Sequence, residues 1–300
     1  MSTRRTWLWL SAMVALPLGL VACAQALGVL EDATDPNSVG GKLVRGANRL
    51  RKSAQDLDPS EEHYIGRTVA AQILSMPRYS LSTDTAMTGY VTRVGLGVAL
   101  SNDAVRHTFA GYHFAVLDTD EVNALACPGG TIFVTRGLLK DASTEGELAA
   151  ILAHEIAHVT LRHGLSAIKA ANLTQAFQYL GSGALQAAGT DNQDLQKLAT
   201  VFDDSVKDVV GALVTNGYSR DAEREADRLG RTLLAGAGYD PQGLSRVLAK
   251  MSHAGGQGGM FATHPAPSER QATLGEALPF TADAEGEAVR AQRFAAAMTR

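Results

Sequence analysis

The sequence predicts a mostly helical α+β domain, built around one buried central helix and a small antiparallel sheet. Three observations predict it. Strand-like runs are confined to one stretch, where Tyr112 to Leu117, Val122 to Cys127 and Thr131 to Thr135 follow one another, the last two separated by the turn signal Pro128-Gly129-Gly130. The segment ELAAILAHEIAHVTLRH after them is dense in helix formers and nearly free of charge at its start, the pattern of a buried helix. Elsewhere apolar residues recur at helical spacing, and no repeat of about 20 to 50 residues is visible, which excludes a solenoid.

Composition narrows the classes further. Of 300 residues, 45% are hydrophobic and 19% charged, an ordinary globular balance. A net charge of -4 without a basic patch argues against a nucleic-acid binder. Two cysteines cannot form a disulfide framework.

Taken in order, the elements begin with a targeting signal. Arg4 and Arg5 precede an apolar stretch from Trp7 to Ala22, the layout of a secretory signal peptide. Leu20-Val21-Ala22-Cys23 resembles the lipobox of bacterial lipoproteins, which implies cleavage before Cys23 and acylation of that residue. Ala24-Gln25-Ala26 as an ordinary cleavage site, or an uncut anchor, are the alternatives. Residues 1–22 are thus expected to be a signal, 23–58 a lipidated cysteine and tether, 59–280 the main domain, and 281–300 a polar tail without evident chemistry. After the signal there is no apolar run near the roughly 20 residues that a membrane span requires.

From Pro59 to Met76, Ile65, Val69 and Ile73 recur every four residues and predict a helix; a second is expected over Met87 to Leu100. In the central helix Thr144 stands three residues before Glu147, a capping-box spacing, and Gly164 marks the far end. Leu165 to Gly217 reads as helical with a break at Gly189 to Asn192. Ser219 caps a helix through Ala235, and Asp240-Pro241 starts one ending near His253. HAGGQGGM, residues 253–260, is a hinge by composition.

The chemistry lies in His154-Glu155-Ile156-Ala157-His158. On a helix, residues four apart share a face, about 40° apart around the axis, so both imidazoles can hold one Zn2+. Glu155 beside them can take a proton from an attacking water. Two buried histidines and a glutamate without a metal would be left to find other partners. A catalytic zinc needs a third protein ligand. Tyr218-Ser219-Arg220-Asp221-Ala222-Glu223-Arg224-Glu225-Ala226-Asp227 supplies candidates, and spacing alone leaves Glu223 and Glu225 both open. Asp227, one turn beyond Glu223, suits the orientation of a ligand. His163 falls about 140° from His158 on a continuous helix and is read as structural. Cys127 is read as buried packing.

HEIAHVTLRHG, followed further on by YSRDAEREAD, resembles the zinc metallopeptidase family that includes HtpX and the CAAX prenyl endopeptidases. Two more stretches match it in order, Glu121 to Gly130 and Thr263-His264-Pro265 with Arg270. The resemblance spans roughly Ser60 to Leu278 and implies a zincin-like domain. It implies Glu223 as the third ligand beside His154 and His158, with Glu155 as general base. It also implies an edge strand at Asn123 and Ala124 that pairs with extended substrate. In some members the histidine of the T-H-P segment closes the zinc's open position, so His264 is either a fourth ligand that restrains the enzyme or an exposed loop residue. The small periplasmic lipoprotein branch of the family is the best match. It implies a lipid-anchored endopeptidase on the periplasmic face of the outer membrane, acting on unfolded or misassembled envelope proteins. The rival from another class is a non-proteolytic scaffold whose zinc is structural; an intact Glu155 counts against it. Oligomeric state is not legible.

Overall fold

The structure is a computed structural model that describes residues 57–168, 192–254, 263–264 and 266–298. The expected signal, Cys23, most of the tether, the break near Gly189 and most of the glycine-rich hinge lie outside the described residues. The chain divides into two compact units, 54–172 with 202–300 and 1–53 with 173–201. The former holds every candidate site residue within the described range.

Helix α1 (Pro59–Ser75) starts at Asp58, whose side chain accepts from the amides of Ser60 and Glu61, while Glu61 accepts from Asp58 in return. Ile65, Val69 and Ile73 are buried as the periodicity predicts. Helix α2 (Thr85–Leu100) is capped by Asp84 and buries Val91, Val94 and Val98. Strands β1 (His113–Leu117), β2 (Ala124–Ala126) and β3 (Thr131–Thr135) form a sheet in the order β1-β3-β2.

The sheet is mixed rather than wholly antiparallel: β2 pairs antiparallel with β3, but β1 runs parallel to it. Such a parallel pair needs the chain to cross the end of β3, and residues 119–121 do so over Gly137. The Gly137 amide donates to the Thr119 carbonyl, and a Cβ there would sit 2.3 Å from the Asp120 carbonyl oxygen. The Pro128–Gly130 turn joins β2 to β3, with Gly129 at φ 75° and Gly130 at φ 103°, conformations that favour glycine. It rests on α1, where Gly66 leaves room for the Pro128 carbonyl and buried Glu62 accepts from the Gly129 amide.

Helix α3 (Arg136–Asp141) leads to the central helix α4 (Glu145–Thr160), in which every residue from Glu147 to Val159 is buried. Each fully buried leucine or isoleucine contributes about 2 kcal/mol. Thr144 accepts from the Glu147 amide, as the capping box predicts. The return bond is shifted by one residue, because the Glu147 carboxylate accepts from the Ser143 amide.

Helix α4 ends before the expected stop at Gly164. Arg162 takes the left-handed conformation at φ 62°, and α5 (His163–Ser166) begins a new turn containing Gly164. Arg162 holds that conformation by donating to the Leu57 carbonyl at 2.6 Å and by pairing with Glu62 at 3.3 Å.

Helix α6 (Asn192–Gly211) runs into a π turn over Ala212–Asn216. Helix α7 (Arg220–Gly236) is capped by Ser219, as predicted. It crosses α4 closely, since a Cβ on Gly230 would lie 3.3 Å from the His154 backbone. Helices α8 (Gly243–Ala254), α9 (Pro267–Thr273) and α10 (Ala284–Met298) follow. Asp240-Pro241 forms a turn ahead of α8 instead of its first residues. The tail region is helical: α10 buries Phe294 and ties Arg293 to buried Glu145 at the start of α4. Among the described residues no helix is long and apolar enough to cross a membrane.

Candidate metal centre

Helix α4 places both histidines of its motif on the face turned to α7. His154 Nε2 and His158 Nε2 lie 3.0 Å apart. From α7, Glu223 brings Oε2 to 3.5 Å from His154 Nε2 and Oε1 to 3.4 Å from His158 Nε2. Glu223, Asp227 and Gly230 stand on one face of that helix, so the close crossing at Gly230 sets Glu223 opposite the imidazoles. His264 joins from the 263–264 segment, its Nδ1 at 2.7 Å from Glu223 Oε1. One ligand atom from each of His154, His158, Glu223 and His264 lies within 4.8 Å of all the others, and all four residues are buried.

Asp227 lies 3.0 Å from His154 Nδ1, on the side away from the cluster. Arg270 fixes it by donating through Nε at 3.0 Å and through Nη2. Burial works against the Asp227 carboxylate, but the charge of Arg270 outweighs it and holds the carboxyl well below its usual range. Burial raises the pKa of Glu155, partly offset by the nearby His264 and His154. Glu223, though buried, is held well below the usual carboxylate range by His264 and by hydrogen bonds from the imidazoles.

The donor set suits zinc, which takes imidazole nitrogen and carboxylate oxygen in sites of this kind. Two buried carboxylate oxygens, Glu155 Oε1 and Glu223 Oε2, accept no hydrogen bond among the described residues. A buried carboxylate oxygen without a hydrogen bond is costly in a protein interior, and a cation held at the cluster lowers that cost. The residues therefore fit the ion.

Of the two glutamates that spacing left open, the structure brings Glu223 to the histidines and turns Glu225 outward, with 55% of its side chain exposed. Asn123 is buried; its Oδ1 accepts from the Ala124 amide at 2.9 Å and from the Thr263 hydroxyl at 3.4 Å. β2 is an edge strand among the described residues, and Ala124 is buried on it. Thr263 also accepts through its carbonyl from the Tyr218 amide, a close approach that Gly217 permits at φ 73°. Cys127 is a buried free thiol whose pKa burial pushes up.

Two neighbours of His158 were not foreseen. Tyr218 stacks on its ring with centroids 4.2 Å apart, and His163 places Nδ1 at 2.9 Å from His158 Nδ1. The spacing argument against His163 assumes an unbroken helix, and the left-handed Arg162 breaks it. No local signal marks that break, because arginine there replaces the glycine that usually does.

A paired-histidine helix, a glutamate from a second helix and an adjacent buried carboxylate with an oxygen that accepts no hydrogen bond among the described residues define the class of zinc metallopeptidases. The chain belongs to peptidase family M48, whose family model matches residues 85–278. It is similar to the beta-barrel assembly-enhancing protease of Yersinia pestis, 28% identical over 193 residues that cover 62% of this chain and 38% of that protein. The protein of the same name from Escherichia coli K12 is 27% identical over 198 residues, covering 64% and 39%. The metalloprotease LoiP of the same strain is 31% identical over 160 residues, covering 53% of this chain and 59% of LoiP. The chain thus spans about two fifths of the length of the two assembly-enhancing proteases.

Proposed function

We propose that this chain is a zinc-dependent endopeptidase of the bacterial envelope that hydrolyses peptide bonds in unfolded or misassembled proteins. One observation carries the reading: buried Glu155, with an oxygen that accepts no hydrogen bond among the described residues, stands beside the His154–His158–Glu223 cluster. A purely structural metal site has no use for such a base. Zinc held by those three side chains would supply Lewis acidity toward a peptide carbonyl and an attacking water. Glu155 takes the proton of that water and returns it to the departing amine. Asp227, clamped by Arg270, keeps the His154 ring aligned.

Substrate enters as an extended strand along β2, where main-chain hydrogen bonds give affinity without strict sequence choice. The Thr263-His264 segment sits at Asn123 and at Glu223, so its departure frees the start of the strand and the fourth ligand position together. The names of the relatives, one an assembly-enhancing protease, support an envelope substrate. Leu20-Val21-Ala22-Cys23 supports a lipid anchor at Cys23 and a site at the periplasmic face of the outer membrane.

Degradation of casein by wild type and by Glu155→Gln at equal zinc content tests the activity. Loss of the base lowers turnover by about 10²–10⁴-fold. Zinc-loaded wild type and His264→Ala that both bind casein without cutting it would establish the scaffold instead.

A further inference from the structure

We infer that His163 and Glu225 form a positioning relay that fixes the ring of His158 for metal binding. This rests on the reading of His158 as a zinc ligand and carries it one layer outward.

The direction of each hydrogen bond follows from which nitrogen faces the cluster. His158 Nε2 lies 3.0 Å from His154 Nε2 and 3.4 Å from Glu223 Oε1, so Nε2 is the ligand atom. An imidazole that gives this lone pair to a metal carries its proton on Nδ1. That Nδ1 lies 2.9 Å from Nδ1 of His163. Two facing ring nitrogens bond only if one donates and the other accepts, so His158 donates and His163 accepts. His163 then carries its own proton on Nε2, which lies 3.3 Å from Glu225 Oε2. The chain of donors runs from the ligand through a second imidazole to a carboxylate half exposed to water.

The backbone is built for this contact. On an unbroken helix His163 would point about 140° away from His158. The left-handed Arg162, held by Glu62 and the Leu57 carbonyl, turns it back until the two ring centroids lie 4.9 Å apart. A left-handed residue other than glycine is strained, and such outliers persist where they serve a site. Tyr218 holds the plane of the same ring by stacking, but offers no acceptor to Nδ1. The two histidine ligands are therefore steadied differently: His154 by a buried carboxylate directly, His158 through His163.

The test measures zinc affinity of the full chain by chelator competition, together with the visible spectrum of the cobalt-substituted protein and the melting temperature. His163→Leu removes the acceptor and weakens zinc by about 10–100-fold, with an altered cobalt spectrum. His163→Asn, whose carboxamide oxygen can accept, recovers most of both. Glu225→Ala, at a half-exposed position where folding is not at stake, weakens zinc in the same direction by a smaller factor. The relay is overturned if His163→Leu and Glu225→Ala bind zinc like wild type, or if Asn and Leu at 163 are equally weak, which marks packing alone. If His163→Leu does not fold, the Asn and Glu225 variants decide. A wild-type chain that takes up no zinc would overturn the metal site itself, a failure distinct from any difference among variants.

Discussion

Glu223 and Glu225 are two residues apart in the chain and on opposite sides of their helix, and the site uses each differently. The motif His154 to His158 is legible in sequence because two imidazoles and a carboxylate fit into five residues of one helix. The carboxylate that joins them from α7 is not, since spacing within α7 fixes relative angles but not which side meets α4. Gly230 decides that side, by permitting the close crossing. His163 is illegible for a similar reason, its direction being set by a backbone conformation that arginine rarely adopts. His264 can be tested singly. Its hydrogen bond to the Glu223 carboxylate, of a kind worth about 1.5–3 kcal/mol, holds the segment over the site. His264→Ala is expected to raise casein turnover by about 10-fold. Unchanged or lower turnover at equal zinc would show that His264 restrains nothing.

At the scale of elements, the helices are legible because their caps are local: Asp58, Thr144 and Ser219 each accept from amides within three residues. The pairing of β1 departs from the expected antiparallel sheet because its partner is chosen by a crossing over Gly137, which no alternation of residues encodes. The crossing of α4 and α7 carries the metal site, and it is open to a direct probe. Gly230→Leu inserts a side chain where a Cβ alone is already tight, and should cost about 1–3 kcal/mol of stability. It should also weaken zinc binding, because Glu223 is carried away from the imidazoles. Denaturant unfolding and zinc titration of the same variant check both, and a destabilised variant with unchanged zinc affinity would mean that the crossing does not position Glu223.

For the molecule as a whole, the C-terminal helix was the feature least visible in sequence. Its main polar anchor, Arg293, meets a partner at the start of α4 across most of the domain. Buried Glu145 accepts from Tyr90 at 2.9 Å and from Tyr239 at 2.8 Å besides pairing with Arg293. Burial raises its pKa, yet these donors, Arg293 foremost, outweigh burial and hold it below the usual carboxylate range. A carboxyl depressed in the folded state stabilises fully above its unfolded pKa of about 4.3, and that contribution is lost as pH falls through the folded value. Glu145→Gln should therefore be less stable than wild type near pH 7, by about 2 kcal/mol, with the gap closing below about pH 4. Denaturant titrations across that range check it, and a gap that stays constant would assign the loss to packing.

The four atoms of the cluster come from one helix, from a second far along the chain, and from a short segment beyond that. An ion held by all of them would be a cross-link. It would pin two long stretches of polypeptide into closed loops, and so restrict the unfolded chain as a covalent staple does. Zinc at about a thousandfold above its dissociation constant adds roughly 4 kcal/mol, or about 10 °C in a domain of this size. Chelation followed by a melting scan should show that drop, and zinc alone among added ions at trace concentration should reverse it. A metal bound at this cluster would thereby also be a fastener, and a cell short of zinc would hold a less stable chain.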